Sequence, residues 1–167
     1  MGHELKKISK SGIEEAIAKT ELYRFLNEPE EAESICHDIL AIEPEHQLAL
    51  RALGLSITDQ FTGAPTDRYG EVQKIFERLK DPYERFYYLG LLHERRAKVQ
   101  LRAGRPPHAL RVLFEEAMRC FEEAEKIRPR GNDDAILRWN RCVRLLESHG
   151  AAEEHEESID FGDSKPY

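Results

Sequence analysis

Two segments of the chain share one layout. AESICHDILAIEP, from Ala32 to Pro44, and AMRCFEEAEKIRP, from Ala117 to Pro129, both begin with Ala and end Ile-x-Pro. Ala32, Cys36 and Ile39 keep the spacing of Ala117, Phe121 and Ala124. That spacing places each trio on one face of a helix. The proline then ends the helix, because it has no N–H to donate and its ring clashes with the preceding turn. A chain that repeats such a unit is built from short helices that pack on their neighbours.

The remaining sequence is read the same way, and no convincing period-2 strand interrupts it. Ile13, Ala16, Ile17, Leu22, Phe25 and Leu26 mark a first helix. Asn27 and Pro29 announce the second, and Leu48, Leu50, Leu53, Leu55 and Ile57 mark the third. TGAPTDRYG, residues 62–70, is a loop. Val72, Ile75, Phe76 and Leu79 form the stripe of a fourth helix, which Pro82 closes. A fifth, long helix spans about Tyr83 to Ala103, with Gly104 as its cap and Pro106 and Pro107 opening the sixth. Asn132 or Asp133 caps a seventh that ends near Gly150. Residues 1–12 are expected to be flexible and residues 149–167 to be a disordered acidic tail.

The chain resembles the tetratricopeptide-repeat family over about residues 13–148. Ala117, Phe121, Ala124 and Pro129 match that family's second-helix pattern, and Leu53-Gly54 and Leu89-Gly90 match its first-helix Leu-Gly pair. The resemblance implies an all-α, right-handed α-solenoid of three helix pairs, 13–46, 47–82 and 83–131, with the seventh helix as a cap. The first pair has Lys19-Thr20 in place of Leu-Gly, and the second has Val72 and Phe76 for Ala-x3-Phe. The third is about 15 residues longer than the family's 34, so its hairpin is expected to protrude. A compact helical bundle is the alternative architecture.

Charge is unevenly distributed. The chain has a net charge of -7, but residues 83–145 carry 14 Lys/Arg against 9 Asp/Glu and are flanked by acidic segments. A nucleic-acid-binding chain of one sign does not look like this. No apolar run approaches a membrane span, and the N-terminus lacks an apolar signal core, so the expected location is cytoplasmic.

Catalytic patterns are missing, and no enzyme, cofactor or metal site is expected. There is no phosphate-cradling glycine loop. HERRA at His93 resembles a zinc-protease motif, but Ala97 replaces its second ligand. Cys36 and His37 are adjacent and diverge by about 100° on a helix. DFG at Asp160 has no kinase context, and His3, His108, His149 and His155 are isolated in sequence. Cys36, Cys120 and Cys142 read as small buried hydrophobes.

In the resembled family the first helix of each pair lines a groove that takes a peptide or helical segment of a partner protein. Carried onto this chain, the groove candidates are Ile17, Glu21 and Phe25, then Arg51, Leu55 and Asp59. Tyr87, Leu91 and Arg95 follow on helix five, and Asn140 and Arg144 on helix seven. Packing against the next helix is the other reading of Leu55 and Leu91. The family's carboxylate-clamping Lys/Asn set is not reproduced; only Arg51 and Asn140 could stand in for members of it. A second candidate surface is the basic hairpin, with Arg95, Arg96, Lys98, Arg102, Arg105 and Arg111 and no acid between Glu94 and Glu115. An acidic protein, the chain's own tail, or less readily RNA would suit it. The leading expectation is an adaptor. A secretion-type chaperone, a class that often forms homodimers, is the alternative, and an RNA-binding repeat comes third.

Overall fold

The computed structural model describes residues 2–160. Among them are seven α-helices and no strand. They are α1 (Ile13–Phe25), α2 (Pro29–Ile42), α3 (Gln47–Thr58), α4 (Tyr69–Glu77), α5 (Pro82–Arg102), α6 (Pro107–Lys126) and α7 (Asp134–Asp160). A single 3-10 turn, Lys10–Gly12, precedes α1. Each helix packs on the next, with further contacts between α1 and α3, α3 and α5, and α5 and α7.

Local chemistry sets the boundaries. Pro29, Pro82 and Pro107 each open a helix, where the missing N–H is no loss. The Asp81 carboxylate accepts from Tyr83 N at 2.9 Å and caps α5. Asn27 does not start α2, as its position suggested. It has φ 60 and closes α1 instead, with its N–H on Arg24 O and the Glu28 N–H on Tyr23 O. Gly104, at φ 93, closes α5 the same way, donating to Leu101 O while Arg105 N donates to Gln100 O. Both are left-handed helix ends that satisfy two orphan carbonyls. α7 does not stop at Gly150 but continues to Asp160. Residues 149–160 are therefore helical rather than disordered, and residues 161–167 of the expected tail lie outside the described residues.

The core is a strip of three clusters. Ile13, Ile39 and Ala49 centre the first, Leu50, Phe76 and Leu92 belong to the second, and Phe114, Phe121 and Cys142 to the third. One contact recurs, between α3 and α4 and again between α5 and α6. A Cβ on Gly54 would lie 2.2 Å from Phe76 Cε1, and a Cβ on Gly90 would lie 2.7 Å from Phe121 Cε1. Glycine is what lets each phenyl ring reach the opposite backbone. The corresponding positions of the first helix pair are Thr20 and Cys36, both fully buried: a larger first residue with a smaller second one.

α5 and α6 have 21 and 20 residues, against 12 and 9 for α3 and α4. α5 thus runs about 30 Å, well past the end of α3. The 62–68 loop folds onto this overhang. The Asp67 carboxylate accepts from Thr62 N at 2.9 Å and Gly63 N at 2.8 Å. Gly63, at φ +85, sits so close that a Cβ would meet Val99 O at 2.8 Å. Behind it, Arg68 pairs with both oxygens of Glu33 on α2, at 2.5 and 2.8 Å.

Candidate functional site

The overhang of α5 beyond α1 and α3 leaves a cavity of about 670 Å³. Glu21, Arg24 and Phe25 come from the last turns of α1, Thr58 and Asp59 from the end of α3, and Arg95, Lys98, Val99 and Arg102 from α5. Phe61 and Pro29, both buried, complete the apolar part of the lining.

Its floor is ionic. The Asp59 carboxylate accepts from Arg24 Nε at 2.7 Å and from Arg95 Nη1 at 2.7 Å. Arg24 Nη2 reaches the same carboxylate at 3.4 Å, and Arg95 also donates to the Thr58 hydroxyl at 2.5 Å. Burial pushes the Arg95 guanidinium below its ordinary pKa, and the facing Asp59 works against that shift. Lys98 Nζ lies 2.7 Å from Glu94, whose side chain is fully buried, and Arg138 approaches the other Glu94 oxygen at 3.5 Å. These contacts are ionic: neither Glu94 oxygen accepts a well-directed hydrogen bond among the described residues. Arg102 is exposed and has no ion pair or hydrogen bond among the described residues. Phe25, at the rim, is 86% exposed.

Of the eleven groove candidates, Glu21, Phe25, Asp59 and Arg95 meet in this cavity. Leu91 is buried, and Ile17, Leu55 and Tyr87 pack against the core clusters, so their apolar surface is spent on packing. Arg51 pairs with Glu84 at 2.9 Å and lies 5.9 Å from the Tyr88 ring centre. Half-buried Asn140 and exposed Arg144 lie on α7, outside the cavity. Arg24, Lys98 and Arg102 belong to the cavity although the groove pattern did not include them.

The basic hairpin does not form one surface. Arg95, Lys98 and Arg102 turn to the cavity. Arg96, one residue from Arg95, lies 4.1 Å over the Tyr69 ring on another side of α5. There the Tyr69 hydroxyl and His93 Nδ1 are 2.7 Å apart, and Glu116 of α6 is 3.5 Å from the same nitrogen. Burial lowers the His93 pKa, against the pull of Glu116. Arg105 donates to Gln100 at 2.8 Å, and Arg111 faces Glu115 at 3.7 Å. Consecutive helical residues diverge by about 100°, and this divergence disperses the run.

Cys36 and Cys142 are buried, and their thiols are pushed up to about 12 mainly by burial, far from a reactive thiolate. Among the described residues no group of three His, Cys, Asp or Glu side chains is placed to hold a metal ion, and no helix is long and apolar enough to cross a membrane. Comparison with protein-family models, curated proteins and solved structures finds no match.

Proposed function

We propose that this chain is a tetratricopeptide-like α-solenoid acting as a non-catalytic, cytoplasmic adaptor that binds a segment of another protein in the cavity between α1, α3 and α5. The recurring Gly54–Phe76 and Gly90–Phe121 contacts support the repeat reading. The observation that carries the binding reading is Phe25, an aromatic ring 86% exposed at the rim of a cavity otherwise floored by ion pairs. Aromatic and arginine side chains around a concavity are the usual anchors of a partner segment.

The client-holding chaperone reading has less support. It needs an apolar groove, yet Leu91, Leu55, Ile17 and Tyr87 are engaged in packing. An RNA-binding repeat has less again, because the arginines are divided among several faces and Asp59 and Glu21 stand among those in the cavity. The test is affinity capture from a lysate of the source cells, with and without nuclease, using wild type, Phe25→Ser and Val112→Ser. Val112 is a 59% exposed control on α6, far from the cavity residues in sequence. The expected result is a nuclease-resistant partner lost only with Phe25→Ser. Capture that is identical for all three proteins contradicts the reading.

A further inference from the structure

We infer that the cavity takes an acidic segment of its partner bearing an apolar side chain, and that Asp59 is a resident competitor for the arginines this segment needs. The inference rests on the cavity being the binding site. Four cations from two helices, Arg24, Arg95, Lys98 and Arg102, face two carboxylates, Glu21 and Asp59, so the lining is net positive. Asp59 already occupies two of the four: both Arg24 and Arg95 donate to it at 2.7 Å. One carboxylate between two guanidinium groups leaves a positive charge unmatched. Arg102, unpaired and exposed, adds another at the rim.

The apolar half of the recognition follows from Phe25. Its ring is 86% exposed, while Phe61 and Pro29, which also line the cavity, are buried and Val99 is half-buried. An apolar side chain seated there covers surface that the fold leaves wet. Its neighbouring carboxylates then meet Arg102, share Lys98 with Glu94, and compete with Asp59 for Arg24 and Arg95. Pairing to Asp59 keeps these guanidinium groups oriented in the free protein. It also makes the partner's carboxylate pay for displacing a bonded one, which limits the affinity of merely acidic chains.

The probe is a fluorescein-labelled peptide of about twelve residues alternating Glu with Leu, beside versions carrying Gln for Glu or Ser for Leu. Binding is read by fluorescence anisotropy from about 50 to about 300 mM salt, with an unfolding midpoint for every variant. The Glu/Leu probe is expected to bind and to weaken with salt, the other two binding roughly ten-fold less tightly. Arg102→Glu, at an exposed position, should weaken it roughly ten-fold. Asp59→Asn should tighten it several-fold, since it removes a competitor without removing a cation. Equal binding of the Gln version, a weakening by Asp59→Asn in protein that is still folded, or no binding of the Glu/Leu probe overturns the acidic inference. Binding of the Glu/Leu probe that ignores both Arg102→Glu and Phe25→Ser overturns the cavity itself. A single-stranded RNA that binds more tightly than the peptide, and is lost with Arg102→Glu, overturns both in favour of nucleic acid.

Discussion

Arg95 and Arg96 are neighbours in sequence with opposite surroundings. Arg95 points into the cavity and shares Asp59 with Arg24 across three helices. Arg96 closes over Tyr69, beside a hydroxyl–imidazole contact that ties the start of α4 to α5, with Glu116 of α6 alongside. On one side of α5 the charges line an open space of about 670 Å³ next to an exposed phenyl ring. On the other they cover aromatic surface and join helices. The difference shows that a run of basic residues lines an open cavity only where the helix overhangs its neighbours.

The largest way to break this contrast is through the packing that holds α5 in place. Phe121→Ala should cost about 3–5 kcal/mol, because it empties the space against Gly90. Gly90→Ala should cost about 1–3 kcal/mol by crowding the same ring. Combined with Phe121→Leu it should cost less than the sum of the two single changes. Denaturant unfolding checks all three, and additive costs would mean that the two sites do not share the contact.

The next effect is pH-dependent. The Arg68 hydrogen bonds hold the Glu33 carboxyl down at about 2, against burial, which works to raise it. A folded-state pKa below the unfolded one stabilises the fold above the unfolded value, and this stabilisation is lost as pH falls toward about 2. Its size is on the order of 2 kcal/mol. Glu33→Gln should therefore lower stability at neutral pH and flatten the acid limb of the stability curve below about 4.5. Parallel curves for the two proteins would refute the assignment.

Smaller still, Tyr69→Phe removes the hydroxyl contact with His93 and should cost about 1 kcal/mol while leaving probe binding unchanged. Phe25→Ser should do the reverse, shifting stability by no more than about 0.5 kcal/mol while weakening the probe. A large stability loss from Phe25→Ser would show that the ring packs in solution.

Much of the helical framework is legible in the sequence, because it depends on local chemistry. Prolines at the starts of α2, α5 and α6 and Gly104 at the end of α5 act through their own φ angles and missing or freed groups. Six of the cavity residues are also named from the sequence: Glu21, Phe25, Asp59 and Arg95 through the family resemblance, and Lys98 and Arg102 through the basic run on α5. Arg24 is not: its role depends on Asp59, thirty-five residues away. Nor is the seating of the 62–68 loop on α5, where Gly63 reaches the backbone of Val99. Gly150 misleads because an interior glycine weakens a helix by only about 1 kcal/mol, and the alanines and glutamates after it favour helix. Asn27 misleads because asparagine tolerates the left-handed conformation that ends a helix as readily as it caps a start.

The contrast between the two sides of α5 is tested most directly by one charge change made on each. Arg102→Glu and Arg96→Glu alter the net charge equally, so diffuse electrostatics predicts equal loss of Glu/Leu probe affinity by anisotropy at low salt. The overhang account predicts that Arg102→Glu weakens the probe roughly ten-fold with an unchanged unfolding midpoint. It predicts that Arg96→Glu lowers the midpoint and leaves the affinity of the folded protein within about two-fold of wild type. Equal loss of affinity in both variants would contradict it.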